Sequence, residues 1–184
     1  ALLGVGTPDL FGQICLELGK SELSLEERIH WLNCLASISA TGDSSTTAER
    51  AVVARSLAAI SGQVRTEELS IDRNFEPRLR TLFQKLKQAW GEGFEIQLAN
   101  ELSGEGEQLF FTSAFSTKTK GMFIPKVMVW LQANPDLVAS QHLDLLGGDG
   151  SMECLEVIRK FSDQRELQSA IISNLIRSPK LTDR

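Results

Sequence analysis

The spacing of apolar residues constrains the fold of this chain more than any other feature. Along most of its 184 residues, apolar side chains recur every three or four positions, which is the period of a helix with one buried face. One such stripe comprises Leu25, Ile29, Leu32 and Leu35. Helix starts agree with this pattern, because Ser24 with Glu27 and Thr46 with Glu49 have the spacing of a capping box. The sequence therefore predicts an all-α fold.

Individual helices can be placed from these stripes and from the glycines and prolines that interrupt them. About eight helices are predicted, and their starts fall near residues 8, 25, 47, 74, 122, 135, 152 and 164. The helix from Met122 is expected to carry Pro125 in its first turn. Residues 94–102 fit either a short helix or a strand, and residues 109–121 are rich in the Phe and Thr that are typical of strands.

The arrangement of these helices has two interpretations. Helix pairs begin at roughly the 40-residue period of HEAT or armadillo arrays, but no residue pattern repeats at that period. A HEAT- or armadillo-like array and an irregular multi-helix bundle are therefore both retained. We expect residues 1–184 to form a single helical domain that is an excerpt of a longer protein, with candidate subdivisions near residues 63–73 and 103–120.

Charge and hydropathy bear on the partners that the chain can bind. The formal net charge is −5 and the sequence pI is about 5.2, so the chain lacks the overall basic field of many nucleic-acid-binding proteins. No apolar run reaches the roughly 20 residues that a membrane-spanning helix needs. A protein partner is therefore favoured, nucleic acid is retained as the alternative, and no membrane span is predicted.

Cysteine and histidine usage gives no indication of a metal or cofactor. Cys15, Cys34 and Cys154 are odd in number and lie among apolar residues, which favours free thiols in a reducing compartment such as the cytoplasm or nucleus. His30 and His142 are far apart in sequence and belong to no Cys/His cluster, so no zinc site is predicted.

The glycine-rich stretch GGDGS at residues 147–151 raises the question of a ligand loop. A phosphate-binding loop would need a lysine followed by Ser or Thr, and the stretch contains no lysine. An EF-hand that starts at Asp149 would need a glycine where Cys154 stands and a glutamate where Lys160 stands. The stretch is better explained as a turn between helices, in which Gly147 or Gly148 takes the left-handed conformation and Asp149 or Ser151 caps the next helix.

The predicted helix at residues 74–90 is bordered by basic side chains on both sides of its apolar stripe. Arg73, Arg80 and Lys87 line one flank, and Arg78 with Lys85 lines the other. One interpretation is an ordinary amphipathic helix whose long side chains reach water past a buried face. The functional interpretation is a basic surface for an acidic protein, a nucleic-acid backbone or a membrane surface.

A second candidate surface lies in the segment that follows. Lys118, Lys120 and Lys126 form a basic cluster, which is either a solvated loop or an extension of the first surface. Three phenylalanines precede it, namely Phe110, Phe111 and Phe115. They either anchor a long connection in the core or present rings to a partner. The three tryptophans, Trp31, Trp90 and Trp130, fall on apolar helical faces and are expected in the core.

These patterns favour a non-enzymatic function. The chain has no GxSxG motif, two histidines and no tyrosine, which leaves few groups for acid–base catalysis. We therefore predict a protein-interaction or scaffold module, with nucleic-acid binding through the basic helix at 73–90 as the alternative and a carboxylate-based enzyme as the third hypothesis. No catalytic residue, metal or cofactor is assigned. The candidate partner-binding residues are Arg73, Arg78, Arg80, Lys85, Lys87, Lys118, Lys120, Phe110 and Phe111.

Overall fold

The computed structural model describes residues 7–38, 46–63 and 75–177, and every regular element within these ranges is a helix. The prediction of an all-α chain is thus confirmed. The α-helices are α1 (Thr7–Leu18), α2 (Leu25–Ile38), α3 (Thr47–Gln63), α4 (Phe75–Trp90), α5 (Glu92–Glu101), α6 (Thr117–Ala133), α7 (Ser140–Asp149), α8 (Met152–Arg159) and α9 (Gln168–Arg177). In the same ranges, three 3-10 helices span Gly106–Ala114, Pro135–Leu137 and Arg165–Leu167. Within the described ranges, none of these helices is both long and apolar enough to cross a membrane.

Helix starts are fixed by the capping boxes that the sequence predicted. The backbone N–H of Ser24 donates to Glu27 Oε2 at 2.9 Å, and the N–H of Glu27 donates to Ser24 Oγ at 3.3 Å. Thr46 and Glu49 form the same reciprocal pair at 2.7 and 3.2 Å. Hydrogen bonds from the Ser24 hydroxyl and backbone N–H lower the pKa of Glu27, which shows that the cap favours the ionised carboxylate.

The segment at residues 109–121, whose Phe and Thr content is typical of strands, contains no strand. It forms the end of the 3-10 helix Gly106–Ala114 and the start of α6, where the Ser116 hydroxyl accepts a hydrogen bond from the Thr119 N–H at 3.3 Å. Phe115 packs edge-on against Phe123, with 6.0 Å between the ring centroids. Phe and Thr favour strands because they pack well on a half-buried sheet surface, and not because their backbone prefers an extended conformation. Tertiary packing can therefore override this preference, as it does here.

An alternative that the sequence left open is resolved, and two further boundaries differ from the predictions. Residues 94–101 lie within α5 and are therefore helical. Since α6 begins at Thr117, Pro125 lies in the interior of that helix rather than in its first turn. The helix predicted from residue 135 is divided into the 3-10 helix Pro135–Leu137 and α7, and the Asn134 amide donates to the Trp130 carbonyl at the end of α6.

The chain divides into two compact units, residues 1–102 and 103–184. In unit 1, α3 is the central helix and packs against α1, α2 and α5. Its fully buried side chains are Val53, Leu57 and Ile60, and Ala54 is also fully buried. Their complete burial shows that neighbouring helices cover α3 closely. The helix α4 packs against α2 and α5.

Unit 2 is organised around α7, which packs against α6, α8, α9 and the 3-10 helix Gly106–Ala114. A Cβ atom at Gly147 would lie 2.4 Å from Asn174 Oδ1, so the close approach of α9 requires a glycine there. Gly147 and Gly148 both lie inside α7, and the left-handed residue after this helix is Gly150, with φ 65°. The prediction that one of the first two glycines ends the helix was therefore wrong.

The glycine-rich stretch nevertheless joins two helices, as predicted. Ser151 is the N-cap of α8, and its hydroxyl accepts from the Cys154 N–H at 3.3 Å. Asp149 Oδ2 accepts from the Ser151 N–H at 3.2 Å. These contacts give the polar side chains of the stretch structural roles in the turn.

His142 links the start of α7 to the first residues of unit 2. Its Nδ1 accepts from the Ala139 N–H at 3.0 Å, and its Nε2 donates to the Gly104 carbonyl at 3.1 Å. The ring stacks on Trp130 with 5.1 Å between centroids and an interplanar angle of 10°. These two contacts match the tautomer that carries its proton on Nε2.

Candidate partner-binding surfaces

The basic helix contributes one wall of a groove in unit 1. This groove of about 450 Å³ lies between α2 and α4, and it is lined by Asn33, Ser37, Pro77, Arg78, Thr81, Leu82 and Lys85. Arg78 and Lys85 are seven residues apart, so they lie on one face of α4. The flank that the sequence assigned to these two residues is therefore the wall of a concave surface.

The groove presents positive charge with neutral polar groups around it. The described residues that line it include two cations and no carboxylate. Arg78 and Lys85 are separated by about 10 Å along the helix axis. The Thr81 hydroxyl donates to the Pro77 carbonyl at 2.8 Å, and the Ser37 hydroxyl donates to the Asn33 carbonyl at 3.0 Å. Among the described residues of the lining, the charged side chains are those of Arg78 and Lys85.

The opposite flank of α4 is not assembled as a second basic surface. Lys87 Nζ lies 2.5 Å from Glu95 Oε2, and the Glu95 side chain is 0% exposed. Arg80 is half-buried, and its Nε atom has no hydrogen-bond partner among the described residues. Arg73 lies outside the described residues. The Lys87 ammonium thus serves a contact between α4 and α5 within unit 1.

The lysines of α6 face different directions. Lys118 is exposed, whereas Lys120 and Lys126 are half-buried. At about 100° per residue, Lys120 is displaced by about 160° from Lys118 around the helix. The three lysines therefore do not form one surface, although all of them belong to unit 2.

Phe110 and Phe111 lie in the interior of the protein. They are 9% and 0% exposed, and their ring centroids are 4.2 Å apart. This placement agrees with the interpretation in which they anchor the segment in the core. It does not fit the alternative interpretation, in which the two rings are exposed for contact with a partner.

The other residues that the sequence singled out are mostly structural. Trp90 is buried beside Phe11 and Phe94, whereas Trp31 and Trp130 are half-buried. The cysteines are free thiols. Burial raises the pKa of Cys15 to about 12, and burial also raises the pKa of Cys154. The described part of the chain contains no group of three or more His, Cys, Asp or Glu side chains that could hold a metal ion.

Sequence reasoning missed the residues on the far side of the groove. Asn33 and Ser37 come from α2, which is separated from α4 by α3 along the chain. No local pattern marks them, because their role depends on which helix packs beside which. Glu95 was also missed, since a single glutamate in a short helix carries no signal of its burial.

Comparison with known proteins does not place the chain in a family. No protein-family model, curated protein or solved structure matches it. The basis for assigning a function is therefore the geometry and charge of its own described surfaces, which include the groove between α2 and α4.

Proposed function

We propose that this chain is a non-enzymatic protein-interaction module whose groove between α2 and α4 binds an acidic segment of a partner protein. The observation that carries the proposal is the pairing of Arg78 and Lys85 on one wall, with no carboxylate among the described residues that line the groove. Two cations about 10 Å apart are within reach of carboxylates two to four residues apart on one face of an extended peptide. Such charge complementarity fixes the register of a bound segment and speeds its association.

The order of helix contacts in unit 1 supports a scaffold role. The helices α1, α3 and α5 contact one another in series, and α2 contacts α4. Two such rows of alternating helices are characteristic of HEAT- and armadillo-like arrays, which bind partners along the grooves of a row. The groove described above belongs to the row of α2 and α4, so we extend the array-like interpretation to this unit as part of the proposal.

Protein is favoured over nucleic acid as the partner. The chain carries a net charge of −5, and the groove supplies two cations rather than a continuous basic track. Nucleic-acid affinity comes largely from many simultaneous phosphate contacts. A short acidic peptide needs only the pair that the groove provides.

Peptide binding tests this proposal directly. A fluorescein-labelled peptide of alternating Glu and Ser would be titrated with the protein, beside its Lys/Ser counterpart and a single-stranded DNA of equal length. The test variant is Arg78→Glu/Lys85→Glu, and the control is Arg159→Glu/Arg165→Glu, which makes the same charge change at exposed residues of unit 2. We expect the test variant to bind the acidic peptide at least about tenfold more weakly, equivalent to about 1.4 kcal/mol.

Each outcome bears on the proposal. An equal loss of affinity in the control variant would show that the acidic peptide is attracted by the overall charge of the protein rather than by the groove. If the protein binds the DNA more tightly than the acidic peptide, and this affinity falls steeply as salt increases, the partner is nucleic acid rather than protein. Absence of binding to the acidic peptide would reject the proposed function.

A further inference from the structure

The outer face of α6 is exposed over its whole length. Its exposed residues after the first are Lys118, Gly121, Met122, Pro125, Val129, Gln132 and Ala133. At about 100° per residue these positions share one side of the helix, within an arc of about 120°. Met122 is 51% exposed and Val129 is 66% exposed, so the middle of this α6 stripe is apolar.

The α6 stripe leads into a pocket of unit 2. The pocket has a volume of about 310 Å³ and is lined by Leu131, Gln132, Pro135, Val157, Lys160, Phe161 and Gln164. Gln132 belongs to both features, so the stripe and the pocket are continuous. The side chains of Leu131, Val157 and Phe161 are buried, and they give the pocket an apolar base. Such a base is suited to one large apolar side chain of a partner.

The charged side chains of the stripe and of the pocket lining are both lysines. Lys118 lies near one end of the stripe, and Lys160 lines the pocket at the other. A net charge of −5 for the whole chain makes this local positive surface distinct. Its complement is an apolar ligand bordered by carboxylates.

The backbone of α6 also favours the close approach of a second helix. Pro125 has no N–H with which to bond the carbonyl of Gly121, and both residues are exposed. A Cβ atom added at Gly121 would meet nothing within 4 Å, so the space above this residue is open. The small residue at this position lets another backbone come near the stripe.

From these observations we infer that the α6 stripe and its pocket bind an amphipathic α-helix of a partner protein, with acidic residues beside its apolar face. The stripe runs from Lys118 to Gln132, about 21 Å, which is the length of about four helical turns. Its residues recur at spacings of three and four, the pattern by which one helix packs along another. One large apolar side chain of the partner enters the pocket. This surface lies in unit 2, and the inference does not depend on the groove in unit 1.

A designed helical peptide provides the test. The probe is an 18-residue peptide with leucines at heptad a and d positions and glutamates beside them, compared with a version in which lysines replace the glutamates. The test variant is Met122→Asp/Val129→Asp. The control is Leu10→Asp/Leu16→Asp, which changes two residues of α1 that are similarly exposed, at 47% and 74%. All of these side chains are on the surface, so circular dichroism should show unchanged helix content.

We expect the acidic peptide to bind the unaltered chain at least about tenfold more tightly than the basic peptide. The Met122→Asp/Val129→Asp variant should lose at least about tenfold in affinity, and the control should retain it. Lys118→Glu/Lys160→Glu should reverse the preference between the two peptides.

Three results would overturn the inference. The first is absence of binding to either peptide, and the second is equal loss in the test and control variants. The third is self-association of the unaltered chain in sedimentation that Met122→Asp/Val129→Asp abolishes, because the occupant of the stripe would then be a second copy of this chain.

Discussion

The ion pair between Lys87 and Glu95 gives a sharp prediction about the stability of unit 1. The two charged atoms are 2.5 Å apart, and the side chains are 30% and 0% exposed, respectively. The lysine can therefore reach water when its partner is removed, but the carboxylate cannot. Replacing Lys87 should cost more stability than neutralising Glu95, although both changes break the same contact.

The size of each loss in stability follows from two opposing contributions to the free energy of the ion pair. Attraction between unit charges at this distance is about 6–7 kcal/mol at an effective dielectric constant of about 20. Burial of the carboxylate costs several kcal/mol and cancels much of this attraction. Lys87→Met leaves that burial cost and should destabilise the protein by about 3–5 kcal/mol. Glu95→Gln removes the buried charge and should cost about 1–2 kcal/mol.

Urea unfolding of the four proteins of a double-mutant cycle would measure these differences. The cycle contains the unaltered chain, Lys87→Met, Glu95→Gln and the double variant. We expect the double variant to be more stable than Lys87→Met, because it removes the buried charge together with its partner. A cost below about 1 kcal/mol for Lys87→Met would refute the reasoning. A larger cost for Glu95→Gln than for Lys87→Met would refute it as well.

Two further predictions concern packing and thiol chemistry. Gly147→Ala should destabilise unit 2 by about 1–3 kcal/mol in urea unfolding, because its Cβ would lie 2.4 Å from an atom of α9. Gly148→Ala is the matched control: its Cβ would meet nothing within 4 Å, so greater helix propensity should leave stability unchanged or raise it by up to about 1 kcal/mol. Cys34 is half-exposed and should react first with a maleimide, whereas Cys15, with its pKa at about 12, should stay largely protonated and unreactive even at pH 9. Mass spectrometry of labelled peptides checks the order, and faster labelling of Cys15 would contradict the burial described for it.

Local signals in the sequence determined where most helices begin. The caps formed by Ser24 with Glu27 and by Thr46 with Glu49 involve residues three positions apart, so their geometry is set within one helical turn. Local signals failed at residues 109–121, where Phe and Thr suggested a strand. They also failed for Pro125, which lies within α6 on its exposed side.

Only the tertiary structure decided which side chains meet. The sequence placed Lys87 on the border of an apolar stripe, but the packing of α5 beside α4 directed it to Glu95. Likewise, Arg78 and Lys85 line a groove only because α2 packs beside α4. Asn33 of α2 lies more than forty positions earlier in the chain. The period and caps of each helix depend on neighbours in sequence, whereas its partners depend on how all the helices bury their apolar faces together.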